Sequence, residues 1–132
     1  MVDPISDMLT RIRNAQAVGR KAVDFPYSKI KLELSNILSN EKYLGGVSKK
    51  GKAEDKKIEV ILKYKDEKLK RPFIQGLRRI SRSGQRIYAA KKDLGRFAKE
   101  RGVIILSTSS GIMTIGEAKK RGVGGEVLCI IW

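Results

Sequence analysis

The chain holds no histidine and one cysteine, Cys129, in 132 residues. These absences remove whole classes of chemistry. Zinc sites built from Cys and His need several such ligands, and Ser-His or Cys-His nucleophile pairs need an imidazole to take the proton. An internal disulfide needs a second thiol. Cys129 sits within VLCII, which reads as a small buried hydrophobe rather than a reactive thiol. No run approaches the ~20 apolar residues of a membrane span, and no amphipathic basic helix dominates. Asp3, Pro4 and Asp7 stand where a signal peptide would place basic residues and an apolar core. The expectation is an intracellular chain with no membrane association, cofactor, metal or small-molecule substrate.

Acid is also scarce. Fourteen Asp and Glu face 29 Lys and Arg, a formal net charge of +15. Such a surface favours a polyanion through Coulomb attraction and counterion release, so nucleic acid is the first candidate partner. Residues 1–75 carry 17 basic and 10 acidic groups, and residues 76–132 carry 12 and 4, which makes the shorter part the more basic. Between Glu67 and Asp93 no acid occurs, yet Lys68, Lys70, Arg71, Arg78, Arg79, Arg82, Arg86, Lys91 and Lys92 do. A solvated face is the ordinary explanation of a charge run. An unbalanced one in so basic a chain points instead to phosphate contact, which positions a partner without reading its sequence.

The length suits one domain or two small lobes. Asp3-Pro4 opens a helix as cap and first helical residue; Ile5, Met8, Leu9, Ile12 and Ala15 share one face, and Gly19 ends it. After the extended AVDFP, Ser28 caps a second helix with Ile30, Leu34, Ile37 and Leu38 at helical spacing and Lys29 and Lys31 at its exposed start. From Tyr43 the pattern turns to short β-rich segments, YLGGVSKK, KIEVILKY and RPFIQGLRRI, read as an antiparallel meander. SRSG, residues 81–84, is the expected boundary. Beyond it come QRIYAA, a short helix in DLGRFAKE, the strands VIIL and IMTI, a helical turn in EAKKR and the strand EVLCIIW. The fold class is α+β in two lobes: residues 1–80, two helices with an antiparallel three-stranded sheet, and residues 81–132, mainly β with short helices.

One stretch resists the charge argument: Ser107-Thr108-Ser109-Ser110-Gly111, four hydroxyls between two apolar strands. A serine nucleophile would lack histidine, and neither the G-x-S-x-G elbow nor the G-x-x-x-x-G-K-[ST] phosphate loop is present. GVGG, residues 122–125, leads from helix to strand, the reverse of a phosphate-cradling order. Two readings of STSSG stay open. One is a hairpin loop of ordinary turn residues. The other is contact with double-stranded RNA, whose wide, shallow minor groove is lined by 2′-hydroxyls and base edges that a serine can both donate to and accept from. Tyr88 shares a strand face with Arg86, opposite Ile87, which suits surface contact.

DPISDMLTRIRNAQ, FPYSK, GLRRISRSGQRIY, STSSGIMT and AKKRGVGGEVLCIIW, in that order, resemble bacterial small-subunit ribosomal protein number eight over essentially the whole chain. The resemblance implies a non-enzymatic, structural 30S protein of the cytoplasmic ribosome. It also implies primary binding of the 16S rRNA central domain early in assembly, contact with neighbouring small-subunit proteins and, in some members, repression of their own operon's messenger RNA. It assigns the main RNA surface to Ser107, Thr108, Ser109, Ser110, Gly111, Tyr88, Gly124, Gly125 and Glu126. A second, electrostatic contact falls on Thr10, Arg13, Asn14, Ser28, Lys29 and Lys31; the bottom-up reading adds Arg82 and Arg86. The chain departs from the family pattern in three places. Ser110 stands where lysine is frequent, so one phosphate contact is either missing or supplied by a neighbour such as Lys119. Ile115 replaces an aspartate, which removes the expected cap of the next helical turn. Ser83 replaces a proline, which loosens the expected joint. The rivals, a basic nuclease and a DNA-compacting protein, want gathered carboxylates for metal or indifference to duplex type.

Overall fold

A computed structural model describes residues 3–66, 68, 71–97 and 102–132. Residues up to Gln75 form one compact unit, and Gly76–Trp132 form another.

In the first unit, Asp3 accepts from the Ile5 and Ser6 amides at 3.1 and 3.2 Å and so caps helix α1, Pro4–Ala17. Its buried stripe is Ile5, Met8, Leu9, Ile12 and Ala15, and Gly19 leaves with a φ of 71°. Strand β1 is Ala22–Pro26, and helix α2, Lys29–Asn40, is capped by Ser28 Oγ accepting from Lys31 N at 3.2 Å. Strands β2, Leu44–Lys50, and β3, Lys57–Leu62, complete an antiparallel sheet in the order β1-β3-β2. Ile58, Val60 and Leu62 alternate with exposed or half-buried neighbours, so one sheet face is apolar and buried with Phe25, Leu34 and Leu38. A small ribbon, β4 at Tyr64–Asp66 and β5 at Arg71–Pro72, follows. Lys70, part of the basic run, lies outside the described residues.

In the second unit, strands β6, Leu77–Arg79, and β7, Tyr88–Ala89, precede the short helix α3, Leu94–Phe97. The end of DLGRFAKE, residues 98–100, lies outside the described residues. The strands β8, Val103–Thr108, and β9, Gly111–Thr114, form a hairpin leading to helix α4, Ile115–Arg121, and strand β10, Gly125–Ile131. The sheet order is β6-β10-β8-β9, with β7 also on β10. One face buries Ala89, Leu94, Ile104, Leu106, Met113, Ile115, Ala118, Val127 and Ile130 in a single cluster, against which Trp132 and Phe97 pack.

Three features differ from the sequence reading. The third strand of the first sheet is Ala22–Pro26, while RPFIQGLRRI is divided: its start pairs with β4 and Leu77–Arg79 pairs with β10. Arg71 and Leu77 belong to different sheets because Ile74 and Leu77, each buried, serve different units. The loss of a capping aspartate at position 115 does not unseat α4: Thr114 is the cap, its Oγ1 accepting from Glu117 N at 3.2 Å, and Ile115 joins the core instead. SRSG closes a tight turn within the second unit, with reciprocal Arg82–Gln85 backbone bonds of 3.0 Å and Gly84 at a φ of 86°.

Leu106 is fully buried at the centre of its cluster. Leu106→Ala is expected to destabilise the chain by about 2–5 kcal/mol through lost burial and a residual cavity, read as a lowered urea midpoint.

Candidate nucleic-acid interface

Cross-strand register assembles the site. Ser107 on β8 pairs with Ile112 on β9 and with Glu126 on β10, and Glu126 pairs with Tyr88 on β7. Residues directly opposite one another in antiparallel strands share a face, so Ile112, Ser107, Glu126 and Tyr88 form one row across four strands. Their neighbours Met113, Leu106, Val127 and Ala89 point the other way, into the core. Tyr88 is 68% exposed, an unusual state for an aromatic ring in a sheet. Ile87 packs against the core, which leaves Tyr88 and Arg86 outward. Glu126 does not stand alone: Arg86 Nη1 donates to its Oε2 at 3.0 Å, so the row carries a neutralised carboxylate in place of a bare one.

The hydroxyls of STSSG divide into two kinds. Thr108 Oγ1 accepts from Ser110 N at 3.1 Å and donates to Gly111 O at 2.8 Å, tying the hairpin with its own side chain. Gly111 follows at a φ of 110°, a conformation that side-chain-bearing residues rarely adopt, and completes the turn. Ser109 and Ser110 lie at the tip, exposed, and among the described residues neither hydroxyl is engaged within the chain. Thr108 and Gly111 therefore build the loop, and the two serines are what it displays.

Gly124 and Gly125 have a structural duty. A Cβ on Gly124 would lie 2.4 Å from Ala89 O, and one on Gly125 would lie 2.2 Å from Ser107 O. Only glycine lets β10 enter the sheet this close to β7 and β8 and keeps Ser107, Glu126 and Tyr88 in register. Sequence reasoning missed Ser81, which holds the other side of the site. Its buried Oγ accepts from Ile87 N at 2.9 Å and donates to Ile87 O at 3.1 Å, pinching the neck of the excursion that carries Arg82 and Arg86. A buried serine beside an exposed SRSG turn has no periodic signature, so nothing in the sequence singles it out.

In the first unit, Thr10, Arg13 and Asn14 are exposed along α1, and Lys29 is exposed at the first residue of α2. Ser28 spends its hydroxyl on the cap. Lys31 is not exposed as expected: its residue is 7% accessible, and Nζ donates to Pro26 O at 3.2 Å, because helical position 31 falls on the buried stripe with Leu34 and Leu38. Lys119, on α4, is exposed.

A family model described as Ribosomal protein S8 matches residues 3–132. The chain belongs to the ribosomal protein S8 family. It is 46% identical to "Small ribosomal subunit protein uS8" of Rubrobacter xylanophilus over 98% of this chain and 97% of that protein. It is also 46% identical to the protein of that name from Natranaerobius thermophilus, over 100% and 98%, and 47% identical to that from Thiobacillus denitrificans, over 99% and 98%. Ribosomal protein S8 is a structural, non-enzymatic family. No helix among the described residues is long and apolar enough to cross a membrane.

Two substitutions separate building from display in this S8 loop. Thr108→Val should lower stability by about 0.5–1.5 kcal/mol through its lost hydrogen bonds, while Ser109→Ala should stay within about 0.5 kcal/mol of the parent in the same urea titration. Ser81→Ala, which leaves the Ile87 amide without its acceptor while Ile87 O keeps the Val127 amide at 2.8 Å, should cost about 1–3 kcal/mol.

Proposed function

We infer that this protein is a structural component of the small ribosomal subunit and a primary binder of the 16S rRNA central domain, seated early in 30S assembly. The observation that carries this reading is the outward row of Ser107, Glu126 and Tyr88 beside the displayed Ser109 and Ser110 on one sheet. Small uncharged groups let the backbone approach a wide minor groove, where hydroxyls meet 2′-hydroxyls and base edges, and Tyr88 offers a face for stacking on an unpaired base. Arg82 and Arg86, carried on the pinched excursion, flank that row: Arg82 supplies charge, and Arg86 neutralises Glu126 so that the row does not repel phosphate. Gly124 and Gly125 act by holding β10 close, and Thr108 and Gly111 by shaping the tip. Thr10, Arg13, Asn14, Ser28 and Lys29 form the second contact, made mainly to phosphate, with Lys31 fixing the end of β1 behind it. Lys119 substitutes for the absent cation at Ser110. Neighbouring small-subunit proteins complete the environment. A helix in the operon's own messenger RNA presenting the same groove would occupy the same row, and repression of translation would follow.

Binding to an irregular helix of small-subunit rRNA should show a log-affinity slope against log salt that reports several phosphate contacts. Ser109→Ala should weaken it by about 1–3 kcal/mol with the slope nearly unchanged, and Arg82→Ala should reduce the slope by roughly one. Equal affinity for an arbitrary DNA duplex at matched salt would sink the reading. So would full rRNA affinity in Ser109→Ala and Tyr88→Ala together.

A further inference from the structure

The sheet of the first unit outruns its core at one end. Phe25 on β1 and Ile58 on β3 pair in register and are fully buried, and Lys49 on β2 lies opposite Ile58 on the same face. The next residues on that face are Tyr27 and Lys56, joined by Tyr27 N donating to Lys56 O at 3.0 Å. Every residue from Ser48 to Lys57 is exposed, so no other part of the described chain covers this end. The turn itself is closed: Asp55 N donates to Lys52 O at 3.0 Å, and Gly51, at a φ of 86°, sits too close to Asp55 O for any side chain.

Two ammonium groups converge on one ring there. Lys49 Nζ lies 5.2 Å and Lys56 Nζ 5.7 Å from the centroid of Tyr27, close enough for the ring to attract both. Lys31 and Lys63 also lie over rings, but each donates to a carbonyl, Pro26 O and Lys42 O. Lys49 and Lys56 have neither an acceptor nor a carboxylate among the described residues, although Asp55 adjoins Lys56 in the chain. Glu59 belongs to the opposite face and takes Lys50 at 2.9 Å. Like charges drawn to one ring repel each other, and a shared anion converts that repulsion into charge-assisted hydrogen bonds. We propose that Lys49 and Lys56, held over Tyr27, form a phosphate site for an RNA backbone, a contact additional to the recognition row and to the residues of α1 and α2. It rests on the RNA-binding reading for the identity of the polyanion. A ring capped by ammonium groups offers a base no face on that side, so the contact is to phosphate and reads no sequence. Lys52, exposed and unpaired at the tip, extends the charge beyond the pair, which suits a partner that repeats its charge along its length.

Lysine acylation read by mass spectrometry tests this on the intact chain. Bound to naked small-subunit rRNA, Lys49 and Lys56 should be acylated roughly tenfold more slowly than in the free chain, and Lys50, spent on Glu59 across the sheet, should change much less. Lys49→Gln with Lys56→Gln should reduce the slope of log affinity against log salt by roughly two, and Lys49→Arg with Lys56→Arg should keep the parental slope. Thermal unfolding of both double variants should match the parent, because both side chains are exposed. An unchanged slope in the glutamine variant overturns the proposal, as does equal slowing at Lys50, the mark of a diffuse field and not a site. Slowing in the complete small subunit without slowing on naked rRNA would assign the surface to an acidic protein and also overturns it. If rRNA still binds under any of these results, the function proposed above stands without this site; a chain that binds no rRNA takes both down.

Discussion

Strand β10 is hydrogen-bonded along both edges, and the second unit depends on that. Its start lies against Tyr88–Ala89, its end against Leu77–Arg79, and its other side against β8. A slip of one residue would exchange the faces of the strand, turning Val127 outward and Glu126 into the apolar cluster. Gly124 and Gly125 guard against this, because the space beside Ala89 O and Ser107 O admits no side chain at either position. The glycines and the recognition row are thus parts of one constraint: the first make the approach possible, and the second is what the approach aligns.

The distribution of hydroxyls follows from which backbone groups need help. Ser28 and Thr114 each supply an acceptor at a helix start, Ser35 donates to Lys31 O at 2.7 Å, and Ser81 serves both backbone groups of Ile87. Thr108 ties a hairpin. The amides of Lys31, Ile87, Ser110 and Glu117 gain their acceptors this way, a need that buried or tightly turned chain cannot leave unmet, while Ile87 O, which also accepts from Val127 N at 2.8 Å, and Lys31 O, inside helix α2, take the hydroxyl as a second donor. Ser109 and Ser110 stand apart because the turn they occupy is already satisfied by Thr108. Their hydroxyls are left over from folding, which is what a contact surface requires.

Much of this was legible in the sequence where local rules act alone. Asp3-Pro4 and Ser28 announced both helix starts, the spacing of Ile5, Met8, Leu9, Ile12 and Ala15 gave the buried stripe, and the alternation Arg86-Ile87-Tyr88 placed the exposed ring. What was not legible involves partners distant in sequence. RPFIQGLRRI has one continuous β-rich pattern, yet its two halves find strands more than 40 residues apart from each other, β4 and β10. Lys31 appeared exposed because a lysine usually is, and only the position of Pro26 O shows why its ammonium turns back. The Ile115 departure illustrates the limit in the other direction. A missing aspartate suggested an uncapped helix, but the preceding threonine already had the geometry to cap it.

The order of strands in the second sheet also has a consequence for synthesis. Strand β10 follows β6, β7, β8 and β9 in the chain, yet it lies between β8 on one side and β6 and β7 on the other. As the chain grows from its N-terminus, the first unit has all its strands by Gln75 and is free to fold while the rest is still being made. The second cannot close until its central strand exists: before then Tyr88 and Ser107 have no register to share, since the residue that joins them is Glu126. The recognition row is therefore a late product of translation, complete only when nearly every residue that supports it has already been joined.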